Sequence, residues 1–374
     1  MSSTPQKQAP RKSDIDRGRY EIELRKRPPD GAEQLTLFDA FIANTPGQYT
    51  NLFEFVDTLP LFILTSPTTK SRNGRNQMLE IQRFEKEWGG DRIAIAIKPV
   101  VVEAGVDPET GVPARKEVLP GPREYTIYRV LKKMAADERV ERISKDKSVV
   151  LRFTVHQLRV RLRDVGHEFK SAEIREALEV MNGSRLSIKN VTRDKTLYTG
   201  PYIALAYAAD DSDPEGERTL VEVGFNELSL AAMRAQLYDR IHYQRLMSLS
   251  ALSARIYEML TANFRQAVTG YGYKISLGRL LSEGGLIRRK TTRNTVGYIR
   301  QAIQEMVDRG VIASYPAYTE EVINGPASRK GGRRPIEDVI WTVFAHEDVI
   351  RDIKADNADQ ARRRERLAPK IAER

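Results

Sequence analysis

The chain has 374 residues, 40% of them hydrophobic, a mean hydropathy of −0.49 and a formal net charge of +10. It is long enough for two domain-sized cores, and with no run of about eighteen apolar residues and a polar N-terminus it is expected in the cytoplasm, with no membrane partner. The absence of cysteine excludes disulfides, thiol nucleophiles and Cys-zinc sites, while the basic excess suits a polyanion, whose condensed counterions are released as Lys and Arg neutralise phosphates.

Residues 1–32 are rich in Lys, Arg, Pro, Ser and Gln and too poor in apolar groups to offset the entropy of ordering, so a disordered basic tail is expected there. The peptide EQLTLFD (33–39) interrupts this polarity. It opens a 33–64 segment whose second part, NLFEFVDTLPLFIL (51–64), is apolar enough to dock on a folded body, with Pro60 arguing against one continuous helix. QMLEIQRFEKEW and DRIAIAIKPVVVEAG alternate on either side of Gly89-Gly90 and read as a strand pair, and GVDPETGVPARKEVLPGP reads as a surface loop.

From Tyr125 the pattern becomes regular. Helices are expected over YTIYRVLKKMAADERVE, over FTVHQLRVRLRDVG with Thr154 as its cap, and over KSAEIREALEVMNGS, which ends at Asn182-Gly183. RLSIKNV, TLYTGPYIALAYAAD and RTLVEVGF then read as three strands. A second round follows: helix SALSARIYEMLTANFRQA, strand and helix YKISLGRLLSEGG, a longer helix in RRKTTRNTVGYIRQAIQEMVDRGVI, then two strands around a basic glycine-rich loop. The fold class expected is α+β, with two tandem winged helix-turn-helix domains, one within 65–249 that includes the strand pair and linker helices, the other at 250–346. A charged, helical tail would occupy 347–374.

A helix-turn-helix presents the start of its third helix to the major groove, where Arg pairs with guanine and Asn or Gln with adenine. In the second repeat Arg288, Arg289, Lys290, Thr292 and Arg293 precede or open that helix, and Asn294 and Tyr298 lie off its apolar stripe. Arg329, Lys330, Arg333 and Arg334 place four cations on the wing loop, able to follow a phosphate backbone. The first repeat differs. Its third helix carries Glu173, Glu176 and Glu179, leaving cations such as Lys189 and Arg193 to touch the backbone.

The runs FTVHQLRVRLRDVG, KSAEIREALEVMNGSRLSI, FNELSLAAM and VGYIRQAIQEMVDRGVI resemble, in order, the replication initiator (Rep) proteins of plasmids, and QLTLF is similar to an element of the IncP-type initiator. The resemblance implies two winged helices that bind repeated origin sites called iterons in double-stranded DNA. It also implies opening of an adjacent A·T-rich region, recruitment of the host initiator and helicase machinery, and a homodimer in some states. Gln34, Leu35, Thr36, Leu37 and Phe38 are similar to the peptide by which bacterial replication proteins grip the β sliding clamp, and in related initiators this peptide is also linked to single-stranded origin DNA. A strand or tuck on the chain's own first domain is the alternative.

No enzyme is expected. NGPASRKGG lacks the terminal Lys-Ser/Thr pair of a phosphate-binding loop, and His156, His167, His242 and His346 form neither a metal-ligand spacing nor the cluster of a rolling-circle nickase. Asp210, Asp211 and Asp213 lie in a polar turn, so neither metal nor cofactor is implied. The nearest rival is a two-domain winged-helix transcriptional regulator, which leaves EQLTLFD without a role.

Overall fold

The computed structural model describes residues 49–53, 55–65, 79–106, 113–137, 141–142, 149–208, 218–229, 238–264, 267–289, 291–326 and 334–372. Residues 34–38, Lys290, Arg329, Lys330 and Arg333 lie outside them. Strands β1 (Tyr49–Phe53), β2 (Gln82–Trp88), β3 (Asp91–Lys98), β4 (Val100–Val106) and β5 (Pro113–Val118) precede helix α1 (Pro122–Asp137). After β6 (Glu141–Arg142), β7 (Val149–Thr154) leads into α2 (Val155–Asp164) and α3 (Ser171–Gly183), followed by β8 (Arg185–Asn190), β9 (Lys195–Gly200), β10 (Ile203–Ala208) and β11 (Leu220–Phe225). β12 (Tyr238–His242) and the short α4 (Tyr243–Met247) connect to α5 (Ala251–Asn263), β13 (Tyr273–Ser276), α6 (Leu277–Glu283), α7 (Thr292–Asp308), β14 (Tyr318–Asn324), β15 (Ile336–Val343) and α8 (Glu347–Ala372). The architecture is mixed α+β with small antiparallel sheets.

One topology occurs twice. The order helix, strand, helix, helix, strand, strand is followed by α5–β13–α6–α7–β14–β15 and, with β6 added before β7 and β8 and β9 inserted after α3, by α1–β7–α2–α3–β10–β11. In both, the last strand lies between the other two, as β10-β11-β7 and β14-β15-β13. Local chemistry explains the shared strand-to-helix corner. Thr154 accepts from the Gln157 N–H at 3.2 Å and Ser276 from the Arg279 N–H at 3.1 Å, so each strand ends in a hydroxyl that satisfies a first-turn donor. Helical periodicity then buries Val155, Leu158 and Leu162 on α2, and Val296, Ile299, Ile303 and Met306 on α7.

Three expectations are corrected. The stretch expected as a loop after Val106 contains β5, which pairs with β4, its proline tolerated as the first strand residue. The linker expected as helices before residue 250 contains a strand, β12, whose pairing with β1 comes from across the chain and leaves little local signal. TLYTGPYIALAYAAD is divided at Pro201, which has no N–H to extend a ladder. Its first half joins the sheet β2-β3-β8-β9, and its second half, with β11, forms the strand pair of the first repeat.

Residues 55–65 pass between the two repeats and bind both. The Ile63 N–H donates to Pro120 O at 2.8 Å and the Leu64 N–H to Gly285 O at 2.9 Å, while Phe62 packs among Tyr125, Tyr128 and Tyr202. Beside them a buried polar cluster joins α1 to α5. The Glu258 carboxylate accepts from Arg129 Nη2 at 3.0 Å and the Tyr125 hydroxyl at 2.6 Å. Arg255 donates to the Thr58 and Glu283 carbonyls, both at 2.8 Å. Burial alone would raise the Glu258 carboxyl, yet Arg129, Arg255 and the tyrosine hydroxyl hold it below the ordinary range. Lys86 of β2 donates to Thr58 O at 3.0 Å and lies 3.6 Å from Glu283, with burial lowering its pKa to about 8. Such networks add little net stability, but removing one member strands the others in a dry interior.

The helix α8 is fastened by Asp352, which accepts from Tyr49 at 3.0 Å and Arg245 at 3.2 Å. Among the described residues no helix is long and apolar enough to cross a membrane.

Candidate nucleic-acid interface

The turn between α6 and α7 is built to fix the residues after it. Gly285 has φ +71°, and a Cβ there would lie 2.1 Å from Phe62 O, so both its conformation and its closeness to the 55–65 segment require glycine. Two residues on, the Ile287 N–H donates to Thr65 Oγ1 at 3.0 Å. The Arg289 N–H then donates to the buried Thr295 hydroxyl at 3.0 Å, and Thr291 caps α7 by accepting from the Asn294 N–H at 3.2 Å. The backbone is thus pinned at Gly285, Ile287, Arg289 and Asn294.

Arg288, Arg293 and Asn294 project from this pinned segment with exposed side chains. Neither arginine forms an ion pair with a described residue. Thr292, half-buried, is the first helical residue, and the helix N-terminus adds a positive dipole end favouring phosphate. Tyr298 is placed otherwise than the sequence suggested: its hydroxyl donates to Leu64 O at 3.4 Å and Arg289 lies 4.0 Å over its ring. Both Tyr298 and the Arg289 head therefore brace the turn. Farther along α7, Arg300 donates through Nε to Glu320 of β14 at 2.8 Å, and the Trp341 indole of β15 donates to the same carboxylate at 2.8 Å. Those hydrogen bonds hold the Glu320 carboxyl below the usual range and lock the helix to its sheet. Past the ends of β14 and β15 the Gly325 N–H donates to Pro335 O at 2.8 Å, with Arg334 exposed beside it.

The equivalent face of the first repeat has different chemistry. Glu173 accepts from the Lys170 N–H at 2.7 Å, and Glu176 is held by Arg123 at 2.7 Å and Lys116 at 3.0 Å. Lys116 belongs to β5, and Val100 of β4 sits so close to Gly183 that a Cβ there would lie 2.4 Å from it, so the β4–β5 hairpin packs along α3. Burial pushes up the Glu179 carboxyl, with Glu103 and Glu176 adding repulsion. Lys189 pairs with Asp194 at 2.5 Å and Arg193 with Asp91 at 2.8 Å, so both cations meet acids on their own sheet. The β10–β11 connection, residues 209–219, has five acids and one cation, Arg218; residues 325–335 between β14 and β15 have four cations and no acid.

Sequence reading named these side chains but missed what positions the turn that carries them. Leu61 to Thr65, apolar and without periodicity, gave only a signal for docking; their carbonyls and hydroxyl hold the turn before α7. Among the described residues no group of three or more His, Asp or Glu side chains is arranged to hold a metal ion.

No protein-family profile and no curated protein matches the chain. Among solved structures it is similar to a crystal structure of domains 2 and 3 of RctB as selenomethionine derivatives, with 9% identity, 75% of this chain and 94% of that chain covered, and a TM-score of 0.42. A second crystal structure of RctB domains 2-3 gives 11% identity, 79% and 98% coverage, and a TM-score of 0.41. Likenesses at this distance leave function to the chain's own residues.

Proposed function

We propose that the chain is a sequence-specific DNA-binding replication initiator of the plasmid Rep type, made of two winged helices of which the second reads the origin. The observation that supports this most is the braced turn before α7, which holds Arg288, Arg293 and Asn294 exposed, and the sequence adds four cations between β14 and β15. Arginine and asparagine at the start of such a helix match guanine and adenine edges in the major groove, and the loop follows the backbone. The first winged helix positions the second. Its edge strand β10, with Tyr207 exposed, suits pairing with a second copy of the chain. The peptide Gln34 to Phe38 would grip the β sliding clamp, or single-stranded origin DNA, by burying Leu35, Leu37 and Phe38. Iteron binding would open an A·T-rich segment by strain, breaking no bond and using no cofactor, while host initiator and helicase assemble in the cytoplasm.

The test is selection of bound duplexes from a randomised pool, followed by competition between the selected sequence and a scrambled one. A preferred site that recurs as direct repeats beside the gene, together with clamp capture lost in a Leu37→Ala, Phe38→Ala variant, supports the initiator. A single palindromic site and no clamp capture by the wild type would assign a transcriptional regulator instead.

A further inference from the structure

Residues 61–65 form a strap whose consecutive peptide groups go to different halves of the molecule. The Ile63 N–H donates to Pro120 O and the Leu64 N–H to Gly285 O, while the buried Tyr202 hydroxyl, just before β10, donates to Leu61 O. Thr65 ends the strap. Its hydroxyl accepts from the Ile287 N–H at 3.0 Å and donates to Ile287 O at 3.3 Å, so one side chain satisfies both polar backbone groups of Ile287. At 4% exposure, Thr65 leaves water little room to replace either bond.

Where these bonds fall is informative. A strap that only held the repeats together could bond the second repeat anywhere, and Arg255 of α5 already joins them by donating to Thr58 O and Glu283 O. The strap instead bonds Gly285, Ile287 and, through Leu64 O, the Tyr298 hydroxyl of α7. Those points lie on both sides of the exposed Arg288, Arg293 and Asn294. Threonine suits the task, because its branched Cβ restricts χ1 and leaves the hydroxyl few places to be. A hydrogen bond to a base edge needs a narrow range of distance and angle, whereas attraction to phosphate is felt over a Debye length. A turn free to shift would therefore lose discrimination between sequences before it lost attraction to DNA.

We propose that Thr65 is a positioning residue for DNA reading: it fixes the backbone that carries Arg288, Arg293 and Asn294, and through the strap it makes their base preference depend on the first repeat. The inference rests on the reading of α7 as the helix that meets the bases. It puts a determinant of sequence preference 222 positions before Ile287, outside the second repeat altogether.

The experiment measures the ratio of affinities for the selected and scrambled duplexes, and the salt slope, for the full chain and its Thr65→Val and Thr65→Ser variants. Valine keeps the shape and removes both bonds; serine keeps the hydroxyl. Thr65→Val should lose at least about fivefold of the ratio, the low end of what one base contact contributes to discrimination, with the salt slope unchanged because no phosphate contact is removed. Thr65→Ser should keep the wild-type ratio. So should Thr154→Ala, which lowers stability at a cap of the first repeat without touching the turn. In an Arg288→Ala, Arg293→Ala background, Thr65→Val should take away less of the ratio than it does in the wild type, because side chains that it positions are gone. A ratio unchanged by Thr65→Val, lost equally in Thr65→Ser, or lost to the same degree in that background overturns the proposal while reading by α7 stands. If Thr65→Val does not fold, Tyr202→Phe replaces it: the variant frees Leu61 O at a buried residue that cannot touch DNA, and the ratio should fall about twofold or more. An unchanged ratio there overturns the proposal equally. Wild-type chain with no preference between the duplexes removes the reading by α7 itself, and this proposal with it.

Discussion

The two repeats share an order of elements, a strand order and the same hydroxyl cap at the strand-to-helix corner, yet their outward surfaces have opposite chemistry. On the first, the third helix presents glutamates, two of its acids are tied to neighbouring groups, and the connection between its last strands has five acids. On the second, the third helix begins with the exposed Arg293 and is preceded by the exposed Arg288, and the corresponding connection has four cations. The buried pattern determines the topology, and residues off that pattern are left to differentiate one copy from the other. A fold repeated within one chain therefore does not imply a function repeated within it.

The most damaging change should be at the joint. Glu258→Ala leaves Arg129 and Arg255 buried without their acid, and a loss of about 3 to 5 kcal/mol is expected in denaturant unfolding. If the joint makes the repeats one body, they should melt in a single transition in the wild type; two separate transitions would show that the repeats are independent and would weaken any positioning role for the first. Next in size is the start of α7. Arg293→Ala should cost about 1–3 kcal/mol on the selected duplex, whereas Arg175→Ala on α3 should change binding by less than about 0.5 kcal/mol. Equal losses from the two would erase the distinction between the surfaces.

The caps sharpen the comparison further. Thr154→Ala and Thr291→Ala each remove a helix N-cap and should each cost about 1 kcal/mol of stability, but only the second loosens the segment carrying Arg293 and Asn294. Selected-duplex affinity should fall in Thr291→Ala alone. The smallest effect concerns acid. Glu320 has a folded-state pKa below its unfolded value of 4.5, so the stability it contributes is complete above about pH 4.5 and is lost as pH falls through the lower folded value. Because the Trp341 indole donates to this carboxylate, fluorescence in a Trp88→Phe background should report a midpoint below 4.5, and Arg300→Gln should move it upward. A midpoint unaffected by Arg300→Gln would show that the pair does not fasten α7 to its sheet.

What the sequence disclosed follows from range. The helices α1, α2, α3, α5 and α7 were legible because a 3.6-residue period of apolar groups is local, and Thr154 was recognisable as a cap for the same reason. β12 was not legible: five residues containing Tyr238, Asp239 and Arg240 pair only with β1, about 190 positions earlier, and register across such a distance leaves no mark in either segment. The division at Pro201 between two sheets was likewise settled by partners elsewhere. At the candidate interface the residue types were readable, and Arg288, Arg293 and Asn294 are exposed at the start of α7. Tyr298 was misjudged because its position off the apolar stripe suggested solvent, whereas Leu64 and Arg289 enclose it.

The central claim is that the second repeat reads DNA and the first does not. Its most direct test is the ratio of affinities for the selected and scrambled duplexes at one salt concentration, measured for the double variants Arg288→Ala, Arg293→Ala and Lys189→Ala, Arg193→Ala. The first should lose at least about tenfold of that ratio, the equivalent of 1.4 kcal/mol, and the second should keep it. A ratio preserved in the first double variant and lost in the second would contradict the account.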